Sequence, residues 1–113
     1  IRVSYGEASF LFTGDLIAEQ EQQVLANGTH VASTVLKVGH HGSRTSSSQE
    51  FLTAVNPGWA VISCGYNNSF GHPHKEILNR LTSCTKAKIL RTDQQGAIVF
   101  RTDGKSIKVE SFC

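Results

Sequence analysis

The sequence predicts an α/β (α+β) domain, a mixed β-sheet with helices packed on it. Three observations carry this. Short apolar runs alternate with helical patterns through the middle of the chain. Turn signals at both ends, Gly6-Glu7 and Thr102-Asp103-Gly104-Lys105, each separate two apolar runs and read as hairpins. Three of the apolar runs end at or just before a glycine, namely Gly14, Gly39 and Gly65. A length of 113 residues fits one domain with a small core.

Ile1 to Tyr5 and Ala8 to Thr13 form the first pair of strands. Leu16 to Asn27 reads as a helix with a sparse apolar face of Leu16, Ile17, Val24 and Leu25. Glu19 to Gln23 is its solvated surface, and Asn27-Gly28 ends it. Thr34 to Val38 is the third strand. Ser47 with Glu50 three residues on fits a capping box, so the next helix runs to about Val55 with Phe51, Leu52 and Val55 inward. Asn56-Pro57-Gly58 stops it. Trp59 to Cys64 is nearly all apolar, as in a strand buried on both faces. Pro73 suits the first turn of a helix reaching Thr82, with Ile77, Leu78 and Leu81 at helical spacing. Ala87 to Arg91 is a strand and Thr92 to Gly96 a loop. Ala97 to Arg101 and Ser106 to Phe112 are the last two strands.

Composition narrows the class. Hydrophobic residues make up 39% and charged residues 18%, the balance of a globular chain rather than a disordered one. A net charge of +2 gives no strong argument for a nucleic-acid or membrane partner, though it permits a phosphate substrate. No apolar run approaches the roughly 18 residues of a membrane span. The chain opens on a strand and contains no methionine, so it is expected to be a segment of a longer protein. Cys64, Cys84 and Cys113 show no C-x-x-C spacing, which argues against a zinc knuckle. They read as free thiols, with one disulfide plus one thiol as the alternative.

Chemistry concentrates where strands end. Asp15, the pair His40-His41, and His72 with His74 all follow an apolar strand and a glycine. Loops at strand ends are where layered α/β folds place their sites. Each residue has a plainer role available. Asp15 could cap the following helix, and His-Pro-His could be a capped helix start. Adjacent residues on an extended chain point to opposite sides, so only one of His40 and His41 enters a site unless the turn begins between them. His30 reads as an exposed loop residue. Imidazole with carboxylate suits zinc, manganese or iron, and two such metals can hold a phosphate ester and present hydroxide to it.

Phe12-Thr13-Gly14-Asp15, Leu36-Lys37-Val38-Gly39-His40-His41-Gly42-Ser43 and Gly71-His72-Pro73-His74 together resemble the metallo-β-lactamase fold. More narrowly, they resemble the extracytoplasmic hydrolase domain of DNA-internalisation competence proteins of the ComEC type. Arg44-Thr45-Ser46-Ser47-Ser48 and Leu90-Arg91-Thr92-Asp93 with Gly96-Ala97 add to the likeness. The resemblance implies a metal-dependent phosphodiesterase or nuclease acting in DNA uptake. It implies that residues 1–113 are the C-terminal part of an αββα sandwich, because the family's His-x-His-x-Asp-His motif is absent from this chain. By position, Asp15 matches the carboxylate that bridges two metals and His40 a histidine metal ligand, with zinc or manganese as the metal. His41 would support the metal ligands from behind or face substrate, and one of His72 and His74 would contact the scissile phosphate or donate a proton to the leaving group. Ser43, Arg44 and Thr45 are candidates to hold phosphate oxygens, or simply a polar lead into the helix.

Implied partners are DNA, through its phosphate backbone, and the remainder of the parent chain, including the N-terminal half-domain and a membrane channel part. The parent would sit in the bacterial cell membrane with this domain on the extracytoplasmic side. The fragment itself would be soluble and inactive alone, with an exposed apolar sheet face that favours self-association. A hydrolase of another ester or phosphoester, or a non-catalytic binding domain, is the alternative.

Overall fold

A computed structural model describes residues 1–112. Cys113, one of the three expected thiols, lies outside the described residues; Cys64 and Cys84 are free. Five strands form the main sheet: β1 (Arg2–Tyr5), β2 (Ala8–Phe12), β3 (Val35–Lys37), β4 (Trp59–Ile62) and β5 (Lys88–Arg91). They lie side by side in sequence order. β1 and β2 are antiparallel; β2, β3, β4 and β5 are parallel. This is the mixed sheet the sequence predicts. The last two strands, β6 (Ala97–Thr102) and β7 (Ile107–Phe112), form a separate antiparallel hairpin.

Helices α1 (Ala18–Ala26), α2 (Gln49–Val55) and α3 (Lys75–Cys84) connect the parallel strands. They bury one sheet face. Leu11, Leu36, Ala60 and Ile62 from the strands meet Phe51, Leu52, Val55, Ile77 and Leu81 from α2 and α3 in a single core. Period-2 alternation puts Leu11, Leu36 and Ala60 in register on that face. Neighbouring residues Phe10, Val35 and Trp59 fall on the other face. There the hairpin lies across the sheet, with the Phe100 ring 6.1 Å from those of both Phe10 and Trp59. The two hairpin turns also touch: Glu7 N–H donates to the Gly104 carbonyl at 2.6 Å. Gly6 is in the left-handed region, and a Cβ there would strike the Gly104 backbone.

Several expectations are corrected. Residues 92–95 form a short helix, α4 (Thr92–Gln95), rather than a loop. Its polar side chains carry no apolar period from which to infer it. α1 starts later than predicted, and its N-cap is Ile17, so Asp15 is not the cap. Ser48, not Ser47, caps α2 and accepts from Phe51 N–H at 3.3 Å. Pro73 precedes α3 instead of opening it, with His74 at the N-cap; the peptide bond His72-Pro73 is cis. β4 is not buried on both faces, since Trp59 and Val61 are only half-buried beneath the hairpin. Glu21 is not solvated. It is 1% exposed and accepts the backbone N–H groups of Ser47 and Ser48 at 2.6 and 2.8 Å. Among the described residues no helix is long and apolar enough to cross a membrane.

Candidate functional site

Three loops leave the C-terminal ends of β2, β3 and β4 and are tied together by their backbones. Gly39 packs so closely on the first loop that an added Cβ would lie 2.9 Å from Thr13 Oγ1. His40 N–H then donates to the Gly14 carbonyl at 2.7 Å. On the other side His74 N–H donates to the Gly42 carbonyl at 2.9 Å. Gly42 has φ +83°, and a Cβ there would meet Pro73 Cβ at 2.6 Å. Glycine at 39 and 42 is therefore what lets the histidine turn dock between its neighbours.

The turn itself is unusual. His40 and His41 both adopt left-handed conformations, at φ 52° and 53°. Non-glycine residues seldom do so, and strain of this kind clusters at functional sites. The consequence is that the alternation of an extended chain does not apply. Both imidazoles line the same cleft, of ≈ 440 Å³, together with Asp15, Cys64, Phe70 and His72. The His72 ring centroid stands 6.3 Å from those of His40 and His41 and 4.8 Å from that of His74.

Hydrogen bonds define what each imidazole has left to offer. His41 Nδ1 lies 2.7 Å from the Ser63 carbonyl, which can only accept, so Nδ1 is the donor there and Nε2 is the nitrogen left to offer. His40 Nδ1 lies 3.3 Å from Thr45 Oγ1. His74 is fully engaged: Nδ1 accepts from Arg44 N–H at 2.9 Å and Nε2 lies 3.3 Å from the Phe70 carbonyl. Among the described residues no hydrogen bond engages a ring nitrogen of His72. Its pKa is lowered by burial first, and then by repulsion from His74, His40 and His41.

The phosphate candidates separate in the same way. Ser43 is buried, with its hydroxyl turned to Thr45 Oγ1 at 2.9 Å, whereas Arg44 and Thr45 are exposed. His30 is exposed and lines a different hollow beside Ser33 and Asn56. Among the described residues, no three His, Cys, Asp or Glu side chains are grouped so as to hold a metal by themselves.

Three features escape the sequence. Asn68 grips the backbone of His72 from both sides: its Oδ1 accepts His72 N–H at 2.9 Å and its Nδ2 donates to the His72 carbonyl at 2.7 Å. A third bond, from Nδ2 to the Gly65 carbonyl at 2.9 Å, closes the loop on itself. An asparagine in a glycine-flanked loop is the only signal for it. Cys64 joins the cleft wall, where burial, and then the hydrogen bond its thiol donates to the Asp93 carboxylate, push its pKa up. Lys37 lines a second, apolar cleft of ≈ 410 Å³ between sheet and hairpin, with Phe10, Val61, Ile98 and Phe100. Burial there lowers its pKa, and the charge of Asp15 partly opposes the shift.

Comparison with known proteins gives a consistent set of relatives. The chain is 44% identical over 96 residues to ComE operon protein 3 of Bacillus subtilis, covering 85% of this chain and 12% of that protein. It is 42% identical over 111 residues to competence protein ComA of Neisseria gonorrhoeae, covering 97% of this chain and 16% of that one. Recombination protein 2 of Haemophilus influenzae is 44% identical over 81 residues, 72% of this chain and 10% of the relative. The chain thus spans 10–16% of the length of these relatives. No family model matches it, and no solved structure does.

Proposed function

The homologues of this chain are competence proteins, and from that premise we propose that it forms one wall of a metal-dependent phosphodiesterase site that cuts DNA during uptake. One observation carries the reading: Asp15, His40, His41 and His72, from three separate loops, line one cleft. The donor chemistry fits a divalent metal, zinc or manganese. Asp15 and His40 would hold it. His41 has the same capacity, since an imidazole whose Nδ1–H is held by a backbone carbonyl presents Nε2 in the manner of metal-bound histidines. Donors from the remainder of the parent chain would complete a two-metal set, as in the metallo-β-lactamase sandwich the sequence resembles. When bound, such metals supply Lewis-acid stabilisation of the phosphodiester and a hydroxide nucleophile.

The chain's own residues then divide the remaining work. His72, with its ring nitrogens unengaged, moves a proton to or from the reacting oxygens. His74 has both nitrogens committed, so it positions the 70–74 loop against Arg44 rather than touching substrate. Arg44 and Thr45 contact phosphate oxygens, and Ser43 holds the Thr45 hydroxyl toward His40. Contacts of this kind bind DNA without reading its sequence. By the same resemblance, the parent sits in the cell membrane with this domain outside.

Manganese and zinc titrations followed by the NMR signals of Asp15 and the five histidines test the site. Selective, saturable changes at Asp15, His40 and His41, with His30 unmoved, are expected. Equal changes at His30 overturn the assignment. In the complete parent protein, Asp15→Asn should lower manganese-dependent hydrolysis of bis(p-nitrophenyl) phosphate by about a hundredfold, the scale of losing one preorganised electrostatic group. An unchanged rate removes Asp15 from the mechanism.

A further inference from the structure

Two large aromatic side chains stand in solvent on the loop that carries His72. Tyr66 is 86% exposed and Phe70 is 73% exposed. Neither belongs to the core, and Phe70 also lines the histidine cleft. The loop is not a slack segment: the three Asn68 hydrogen bonds fix its turn. The Phe70 ring lies nearly parallel to His72, with centroids 5.6 Å apart and planes 23° from each other. One face of Phe70 is thereby occupied, and the ring's orientation is set. The rest of the ring faces water at the edge of the cleft that Asp15, His40, His41 and His72 also line.

We propose that Phe70, with Tyr66 exposed on the same loop, is a stacking platform for a nucleobase of an unpaired strand whose backbone enters the cleft. This rests on the nuclease reading above and deepens it by naming the substrate's form. Every base offers a π-face, so aromatic stacking is tolerant of sequence and suits a site that holds DNA by its phosphates. In a duplex those faces are covered by neighbouring base pairs. Phe70 can therefore take a base only from a single strand or a frayed end. Held rigidly beside His72, the ring would orient the nucleotide adjoining the scissile phosphate with little loss of freedom on binding.

The test is metal-free binding, followed by fluorescence anisotropy in EDTA. The probes are a labelled thymidine oligomer and an oligomer of the same length with abasic sugars. The thymidine oligomer is expected to bind more tightly than the abasic one. Phe70→Ala and Phe70→Leu should each weaken it by about tenfold or more, the scale of one stacked base. Phe70→Trp should retain binding, and Tyr66→Ala should have a smaller effect. The abasic oligomer should not distinguish any of these variants. Equal affinity for the two oligomers, no measurable binding of either, or full affinity in Phe70→Leu overturns the proposal. The last result would mark Phe70 as an apolar contact for another protein surface. Hydrolysis of bis(p-nitrophenyl) phosphate in the parent, which involves no base, tests the metal site separately. Its insensitivity to Asp15→Asn would sink the nuclease reading while the oligomer comparison still decides the role of Phe70.

Discussion

The two faces of the five-stranded sheet are finished to different degrees. On the helix side Leu36, Ala60, Ile62, Leu52, Ile77 and Leu81 are all essentially inaccessible. On the hairpin side Phe10, Trp59 and Val61 are half-buried, Phe12 is 49% exposed, and Lys37 borders an apolar cleft. Strand β1 shows the contrast again. Its register puts Val3 opposite Phe10 and Tyr5 opposite Ala8, on the hairpin face, yet both side chains are largely exposed. The chain thus completes one core by itself and leaves the other open. That is the surface expected of a piece that packs against more protein, in keeping with relatives several times its length.

The two faces should differ in what a truncation costs. Leu52→Ala, on the helix side, should cost about 3 kcal/mol in denaturant unfolding, as buried leucine truncations do. Glu21→Ala should cost about 2–3 kcal/mol on the same side, because two buried backbone N–H groups would lose their acceptor. Glu21→Gln, which keeps one acceptor oxygen, should cost less. On the hairpin side Phe100→Ala should cost only about 1–2 kcal/mol, since its ring is half in water. A Phe100→Ala penalty equal to that of Leu52→Ala would show that the hairpin face is as complete as the other.

The smallest effect lies where the chain leaves the sheet for the hairpin. Arg91 Nη2 and Asp93 Oδ2 are 2.7 Å apart, with a parallel bond at 3.0 Å. The guanidinium holds the Asp93 carboxyl below its ordinary pKa. A depressed carboxylate pKa adds stability that is complete above the unfolded value near ~4. That stability is lost as pH falls through the lowered folded value. Asp93→Asn should therefore cost about 1 kcal/mol at neutral pH, the pair being partly exposed. Its difference from the native chain should vanish in acid unfolding below that window. A constant difference at all pH values would remove the ion pair from the account.

The sequence shows the scaffold better than the finer contacts of the site. Strands β2 to β5, both hairpins and the inward faces of α2 and α3 follow from local patterns: apolar runs, turn residues and Ile77-Leu78-Leu81 spacing. The histidines and Asp15 are visible as candidates because each follows a strand end. How they meet is not local. Both His40 and His41 reach the cleft only because two consecutive non-glycine residues take left-handed conformations, which is bound up with contacts to Gly14 and Pro73. Glu21 reads as surface because its partners lie 26 and 27 residues away. Asn68 reads as an ordinary loop residue until His72 is seen between its amide oxygen and nitrogen.

Strands β1 to β5 lie in the order in which they are made, without a reversal. Doubly wound sheets form their ligand crevice where strand order reverses and successive connections part to opposite sides. Here there is no such switch point, for every crossover returns over the same face. The topology alone opens no crevice between diverging connections. The walls of the histidine cleft are instead irregular backbone, held by Gly39, Gly42 and Asn68. In this molecule, changes to three small loops can remodel the site while the layout of the sheet stays as it is.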